Sequence, residues 1–266
     1  MLTRKDILKQ LFELGAPRDN VVLVHTSLKK IGEVEGGAET VLDALIEYFT
    51  AEGGLLCIPT HTWGFQNDTT RPTLDYTAPD TCIGVLPTVA ARDKRAYRSD
   101  HPTHSMAVFG AENKVLEFIS GEKNVTTTTS PDGCYGKLWQ RGGKILLVGV
   151  GQDKNTFLHS VEEMLGVQNR ISDASITLTV KYPDGHIEPR ILYPLEAKGI
   201  ADVSEQFPNY EPAFRKHGCI KDGMIGNAKV QLCDTVKMKD VMALIYEKSG
   251  GAELLFDSTP INPEWY

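Results

Sequence analysis

No C-x-x-C pair occurs among the five cysteines of this sequence, so a thiolate metal site of the usual spacing is not expected. An odd number of cysteines also argues against a disulfide framework and favours reduced thiols in a cytosol. Buried packing is the simpler role for Cys57 and Cys134. A G-x-S-x-G motif is absent as well, which leaves a covalent serine mechanism without local support.

Basic charge is also scarce, with 28 Lys and Arg against 35 Asp and Glu and a net charge of −7. This balance excludes non-specific nucleic-acid binding, which depends on basic surface. It suits a cationic small-molecule partner, although acidic surfaces also serve solubility. There is neither an apolar run of about 20 residues nor a signal-peptide core, so we predict a cytoplasmic protein with no membrane partner. The oligomeric state stays open between a monomer and a homodimer.

The first 60 residues follow a strand–helix–strand pattern. Thr3 is a plausible N-cap for a helix through Leu14, and Val21–Val24 is a uniformly apolar strand. Apolar residues recur at helical spacing over Ala38–Thr50, and Leu55–Pro59 is the next strand. A β-loop-α-β unit of this kind predicts a parallel sheet covered by helices. The polar stretch Thr60–Thr81 is predicted to be an irregular, functional loop.

The rest of the chain continues this pattern and then changes character. A strand over Lys144–Val150 leads into a helix that carries His159, and a β-hairpin with period-two alternation follows. We therefore predict one α/β domain over residues 1–266, with a central mixed, largely parallel sheet flanked by helices and a β-hairpin excursion after the His159 helix. The remaining predicted elements are the strand Met106–Gly110, helices Ile83–Arg92 and Val203–His217, hairpin strands Ile176–Tyr182 and Ile187–Tyr193, a single strand over Gly223–Leu232, and a helix over Met238–Lys248.

Polar residues at the end of the first strand are the first candidate site. His25, Thr26 and Ser27 lie where open α/β sheets bind ligands, and a glycine-containing loop over Gly32–Gly37 precedes a helix. Glycines allow close backbone approach, and free N–H groups at a helix start bind phosphates. The segment lacks a P-loop lysine, and an ordinary strand-to-helix turn explains it equally well.

A second candidate is the stretch Arg98–Ser105, which supplies a cation, hydroxyls and two imidazoles within eight residues. Such a set could bind an anion or an amide. A solvated loop whose histidines cap neighbouring backbone accounts for the same residues.

His159 and Glu162 form the third candidate, because residues three apart share one face of a helix. A carboxylate beside a neutral imidazole fixes its orientation and suits it to act as a general base. Most H-x-x-E pairs are surface contacts, so this pattern alone leaves both interpretations open.

Taken together and in order, these segments resemble the aminoglycoside N3-acetyltransferase family. The similarity spans residues 3–248 and includes seven stretches. They are Val24–Leu28 with Gly32, Gly36 and Gly37; Pro59–Trp63; Arg98–Ser105; Ser130-Pro131 with Gly136–Leu138; Leu147–Gly151 with Asn155-Thr156; His159–Glu162; and Gly223–Ala228.

The resemblance implies direct transfer of the acetyl group of acetyl-CoA to the 3-amine of a 2-deoxystreptamine antibiotic, with His159 as general base and no metal. It implies catalytic roles for His25, Glu162 and Glu196, the last two competing to partner His159. Asp75, Trp63 and Glu196 are the implied acceptor-binding residues. The implied coenzyme A residues are His25, Thr26, Ser27, Leu28, Gly32, Val34, Gly36, Gly37, Arg98, Ser99, Ser105, Ala107, Val108, Phe109 and Thr156. The stretch Ser130–Leu138 is longer than the common family form, so the hydroxyl that contacts the cofactor there is left open.

Three alternatives remain at this stage. A CoA-dependent N-acyltransferase could act on another amine, such as an amino sugar. A metal-dependent hydrolase could use some of the histidines, namely His25, His61, His101, His104 and His159. A CoA-binding protein could have kept the fold and lost turnover.

Overall fold

The computed structural model describes all residues from 1 to 266 and contains ten strands and nine α-helices. The strands are β1 (Val21–Thr26), β2 (Leu55–Pro59), β3 (Leu74–Asp75), β4 (Tyr97–Arg98), β5 (Met106–Phe109), β6 (Lys144–Val148), β7 (Ile176–Lys181), β8 (Ile187–Leu192), β9 (Ile220–Ile225) and β10 (Ala228–Asp234). The helices are α1 (Arg4–Leu14), α2 (Leu28–Ile31), α3 (Gly37–Thr50), α4 (Val85–Arg92), α5 (Glu112–Ile119), α6 (Cys134–Gln140), α7 (Phe157–Met164), α8 (Glu211–Lys216) and α9 (Thr235–Lys248).

Seven strands form the main sheet in the order β4-β5-β2-β1-β6-β10-β9. β1 is parallel to β2 and to β6, and the other four neighbouring pairs are antiparallel. Following these pairings across the sheet, only β5 and β10 run against the other five strands. The predicted mixed, largely parallel sheet flanked by helices is therefore confirmed.

Both faces of the sheet are buried, which explains the uniformly apolar β1. Val21 and Leu23 face one core, which also contains residues of α6, α7 and α9, whereas Val22 and Val24 face the other, with residues of α1, α3 and α4. Successive side chains of a strand point to opposite faces, so a strand buried on both sides has no polar alternation.

The predicted hairpin is present as β7 and β8, which pair antiparallel after α7. β3 joins it in parallel, so that Leu74 lies opposite Val180. The long loop after β2 is thus mostly irregular, as expected, but it contributes one strand to this small second sheet.

Two predicted elements were wrong in their internal structure. The single strand over Gly223–Leu232 is the meeting point of β9 and β10, which turn back at Gly226 with a φ of 56°. The helix over Val203–His217 is a 3-10 helix through Tyr210 followed by α8. Pro208 lies inside the 3-10 part and lacks the N–H that a regular helix would use. No helix in the chain combines the length and the apolar character needed to cross a bilayer.

Candidate active site

A cleft of about 660 Å³ opens at the carboxyl ends of the central parallel strands. His25 and Thr26 come from the end of β1, Pro59 from the end of β2, and Val150 follows β6. His159 reaches the cleft from α7. Segments far apart in sequence therefore meet at one edge of the sheet, as the strand-end positions predicted.

His159 and Glu162 face each other within α7. The His159 Nδ1 atom lies 3.5 Å from Glu162 Oε2, and neither atom has a hydrogen-bond partner. Because Nδ1 is buried against the carboxylate, Nε2 is the nitrogen left to serve the cleft. Phe207 packs edge-on against the imidazole, with ring centroids 4.7 Å apart. This arrangement orients the ring and leaves it free to accept a proton.

Glu162 is 1% exposed, and its second oxygen accepts a hydrogen bond of 2.7 Å from Arg170 Nε. A buried carboxylate stays charged only where a cation or strong donors compensate its lost hydration. Arg170 supplies that cation, so a negative group is kept directly behind the imidazole of His159.

His25 is also buried at the cleft, and its Nε2 has no hydrogen-bond partner. Burial lowers the pKa of His25 to about 4, because charging the ring there would cost its hydration. At neutral pH it is therefore an uncharged imidazole. It can donate or accept a hydrogen bond but carries no positive charge.

His61 and His104 form a tilted ring pair that also lines the cleft. Their ring centroids are 4.2 Å apart, and His61 Nε2 is 2.7 Å from the hydroxyl of the buried Tyr135. The Nδ1 of His104 lies 3.0 Å from the Thr103 hydroxyl. Burial lowers the pKa of both imidazoles well below its usual value, so both are neutral and have fixed orientations.

His101 lies outside the cleft lining and has a structural role. Its Nδ1 accepts the backbone N–H groups of Thr103 and His104, and its Nε2 donates to the carbonyl of Thr127. Both ring nitrogens are occupied, which fits the capping interpretation for this histidine.

The loop from Ser27 to Gly37 keeps features that suit an anionic cosubstrate. The N–H of Ser27 donates to the carbonyl of Val148, at the end of the neighbouring strand β6. Gly36 has a φ of 74°, which glycine adopts without strain. No side chain caps α3, a helix of 14 residues. Its first N–H groups can therefore bind phosphate oxygens.

Thr26 and Thr156 line the cleft beside this loop. The residues present thus fit coenzyme A. Six other residues of the predicted set do not line the cleft, namely Ser27, Leu28, Gly32, Val34, Gly36 and Gly37.

The structure places the predicted cofactor residues between Arg98 and Phe109 outside the cleft lining. Arg98 donates to the Thr60 carbonyl and hydroxyl and to Ser105, so it holds the sheet edge together. It does not line the cleft. The other predicted residues are almost completely buried, because β5 is an interior strand of the sheet. They are Ser99, Ser105, Ala107, Val108 and Phe109.

Two of the three predicted acceptor residues also lie elsewhere. Trp63 lines the cleft and is 46% exposed. Asp75 is in β3, where it accepts hydrogen bonds from Thr77 and pairs with Lys181 at 3.4 Å. Glu196 is exposed in a second depression and does not partner His159. Glu162 occupies that position instead, because it shares a helix with the imidazole.

Sequence reasoning missed four residues of the site region. Asp153 and Asp202 line the cleft, Tyr135 orients His61, and Arg170 compensates Glu162. Asp153 directly precedes the Asn155-Thr156 stretch and could have been found from it. Arg170 follows Glu162 by eight residues, and Tyr135 is joined to His61 over 74 positions, so neither pair has helical spacing that would reveal it.

No group of three or more His, Cys, Asp or Glu residues is arranged to hold a metal ion. The five histidines considered for a hydrolase are divided between the cleft and the structural position of His101. The arrangement therefore offers a base and neutral hydrogen-bonding groups, which suit acyl transfer.

The relatives of this chain agree with that chemistry. Residues 23–247 match the model of the aminoglycoside 3-N-acetyltransferase family. An aminoglycoside N(3)-acetyltransferase III from Salmonella sp. is 27% identical over 99% of this chain and 96% of its own length. The aminoglycoside N(3')-acetyltransferase-like protein YokD from Bacillus subtilis is 27% identical over 90% of each chain.

Solved structures show the same fold. The CoASH complex of AAC-IIIb has a TM-score of 0.79 at 22% identity and covers 93% of this chain and 97% of its own. A gentamicin complex of an AAC(3)-IVa mutant has a TM-score of 0.77 at 23% identity and covers 94% of this chain and 90% of its own. With a family match over residues 23–247, this chain belongs to the aminoglycoside 3-N-acetyltransferase family.

Proposed function

We propose that this protein transfers the acetyl group of acetyl-CoA directly to the 3-amine of a 2-deoxystreptamine aminoglycoside. The observation that carries the proposal is the His159–Glu162 pair at the cleft, where Nδ1 faces a buried carboxylate and Nε2 is left for the substrate. Family membership supplies the reaction class.

His159 carries the central proton transfer. A protonated amine has no lone pair for attack, so the base must take up a proton as the new C–N bond forms and the C–S bond of the thioester breaks. Glu162 stabilises the imidazolium that results. Acetyl-CoA supplies the acetyl group as a thioester, and the His159 proton can then pass to the released thiolate. No metal is needed at any step.

The cleft provides the other requirements of direct transfer. The hydroxyl of Thr156 and the neutral imidazole of His61 are available as donors to the negative charge that develops on the carbonyl oxygen. The side chain of Trp63 offers a flat apolar wall to an acceptor ring. Holding both substrates in one cleft converts an encounter between two molecules into a reaction within one complex.

A second candidate is N-acylation of an amine that carries fewer charges than an aminoglycoside. Only two carboxylates line the cleft, Asp153 and Asp202. Asp153 is paired with Lys154 at 2.9 Å, and Asp202 accepts hydrogen bonds from Ser204. Only Asp202 therefore keeps an uncompensated negative charge, which gives a polycationic acceptor a single carboxylate to bind in the cleft.

We also infer a single domain over residues 1–266 and a cytoplasmic location. The small sheet takes β3 from the loop after β2 and its hairpin from the segment after α7, so it interlocks two distant parts of the chain. All five cysteines are free, which fits a reducing compartment.

An acyl-transfer assay tests the proposal. Purified protein is incubated with acetyl-CoA and a panel of aminoglycosides and simple amino sugars, and released CoA is measured with a thiol reagent. We expect turnover with 2-deoxystreptamine compounds and a rate reduction of about 10²-fold or more in His159→Ala. The matched control is His186→Ala, which alters an exposed histidine of the hairpin turn.

Three results would change the assignment. Turnover restricted to simple amino sugars would favour the second candidate. Unchanged turnover in His159→Ala would remove its role as base. Tight CoA binding without turnover on any acceptor would indicate a binding protein.

A further inference from the structure

The general base is connected to the C-terminal segment through a chain of charged side chains, in which Glu162 and Arg170 are buried and Glu253 is partly exposed. Arg170 Nε donates to Glu162 Oε1 at 2.7 Å, and its two terminal nitrogens hold Glu253 at 2.6 and 2.8 Å. Arg170 is 4% exposed, and Glu253 follows α9 near the end of the sequence. One guanidinium is therefore shared between two carboxylates.

The charges of this cluster do not cancel until His159 takes up a proton. Glu162 and Glu253 carry two negative charges, and Arg170 carries one positive charge. A protonated His159 makes the set neutral. Removing the charge of Glu253 would therefore take one negative charge out of the surroundings of the imidazolium that forms during the reaction.

We propose that Glu253 and Arg170 are positioning residues for the general base. Arg170 fixes the carboxylate of Glu162 so that Oε2 stays behind His159 Nδ1. Glu253 holds the guanidinium with two hydrogen bonds and leaves the cluster with one net negative charge. Neither residue lines the cleft, so both act through Glu162. The catalytic meaning of this inference rests on the proposed function.

Other charged groups lie on the cleft side of His159, where Asp153, Lys154 and Asp202 line the same cleft and Asp153 is paired with Lys154 at 2.9 Å. Phe207 and Tyr210 approach His159 or Glu162 from the 3-10 helix before α8, and both are uncharged at neutral pH. His61 and His104 also line the cleft and are held neutral by burial, which lowers the pKa of each. The two glutamates and Arg170 are thus the charged groups packed behind the imidazole.

Titration of the histidine imidazoles by NMR on 15N-labelled protein tests the proposal without any substrate. The His159 signal is identified by its loss in His159→Gln. We expect its titration midpoint to move to lower pH by about half a unit or more in Glu253→Gln, because one negative charge is removed near the imidazolium. Glu253→Asp keeps the charge, so its midpoint should lie close to that of the wild-type protein.

Glu264→Gln is the matched control, because it removes an exposed carboxylate from the same C-terminal segment. It should leave the midpoint unchanged. In the acetylation assay the acid limb of the kcat/KM profile should shift in Glu253→Gln in the same direction as the NMR midpoint, while KM for acetyl-CoA stays within about twofold.

An unchanged midpoint in folded Glu253→Gln would overturn the proposal. Arg170→Lys provides a second variant. It keeps the positive charge but cannot make the three hydrogen bonds by which Arg170 holds Glu162 and Glu253 together. It should lower kcat at least tenfold with little change in KM, and normal kcat there would also count against the proposal. If the wild-type protein acetylates no acceptor, the proposed function fails, but the NMR titration still decides whether Glu253 sets the basicity of His159.

Discussion

Two histidines of this molecule, the cleft-lining His159 and the buried His101, have opposite roles. His101 uses both ring nitrogens on the backbone, where it accepts two N–H groups and donates to one carbonyl. His159 Nδ1 has no hydrogen bond and faces a carboxylate at 3.5 Å. A ring whose nitrogens are both satisfied stabilises the scaffold, whereas a ring with free nitrogens can carry protons.

The same distinction separates the two segments from which these residues come, Arg98–Ser105 and α7. Around Arg98, hydroxyls, carbonyls and two of the three guanidinium nitrogens bind one another, whereas the buried Nη1 of Arg98 has no partner. Around α7, charged groups are brought together but leave the atoms that meet, His159 Nδ1 and Glu162 Oε2, without hydrogen bonds. Both segments combine histidines with charged residues, and they differ in whether the histidine nitrogens are hydrogen-bonded.

The sharpest test replaces each histidine in turn. His159→Gln should reduce the acetylation rate by about 10²-fold or more, because no other group at that position can accept the proton. Its urea unfolding midpoint should change little, since the ring makes no hydrogen bond that the fold requires. Near-normal activity would contradict the role assigned to the α7 segment.

His101→Ala should give the opposite result. Two backbone N–H groups and one carbonyl would lose their partner in a buried site, so we expect the free energy of unfolding to fall by about 2 kcal/mol. Denaturant unfolding followed by tryptophan fluorescence measures this loss. Activity per folded molecule at low temperature should stay within a few-fold of wild type. A larger loss of activity than of stability would place His101 in the chemistry.

Sequence reasoning succeeded where local rules determine the outcome. Thr3 and Asp6 form the capping box that begins α1, and the apolar run of β1 identified a strand buried on both faces. The His159–Glu162 pair was visible because both residues share one helix. Sequence distance hid the rest. The His61–Tyr135 hydrogen bond joins residues 74 positions apart, and the burial of β5 depends on neighbours that local composition does not specify.

Acid should weaken the fold through the buried histidines. The pKa values of His25 and His101 are lowered to about 4 by burial, while the unfolded chain takes up protons near the ordinary value of about 6.5. Between these values the unfolded state binds more protons, so stability is complete above about 6.5 and is lost as pH falls toward 4. Each such histidine should contribute a slope of about 1.4 kcal/mol per pH unit.

Urea unfolding at several pH values between 7 and 4.5 measures that slope. His25→Asn should reduce the slope of stability against pH by the contribution of one histidine, about 1.4 kcal/mol per pH unit. His186→Asn is the control, because an exposed ring beside Asp184 has a raised pKa and does not contribute loss in this direction. Equal stability at pH 7 and pH 5 would mean that the buried rings are reached by water in the folded state.

The smallest expected effect separates the two acceptor residues that the structure places differently. Trp63 lines the cleft, so Trp63→Ala should raise KM for the acceptor about fivefold, equivalent to about 1 kcal/mol of lost contact, without changing KM for acetyl-CoA. Asp75→Asn should leave both KM values within twofold, because Asp75 binds Thr77 and Lys181 within the small sheet. A selective rise of acceptor KM in Asp75→Asn would show that the small sheet reaches the acceptor after all. The hydrogen bonds of Asp75 to Thr77 and its ion pair with Lys181 would then have to be exchanged for contacts with the acceptor when the acceptor binds.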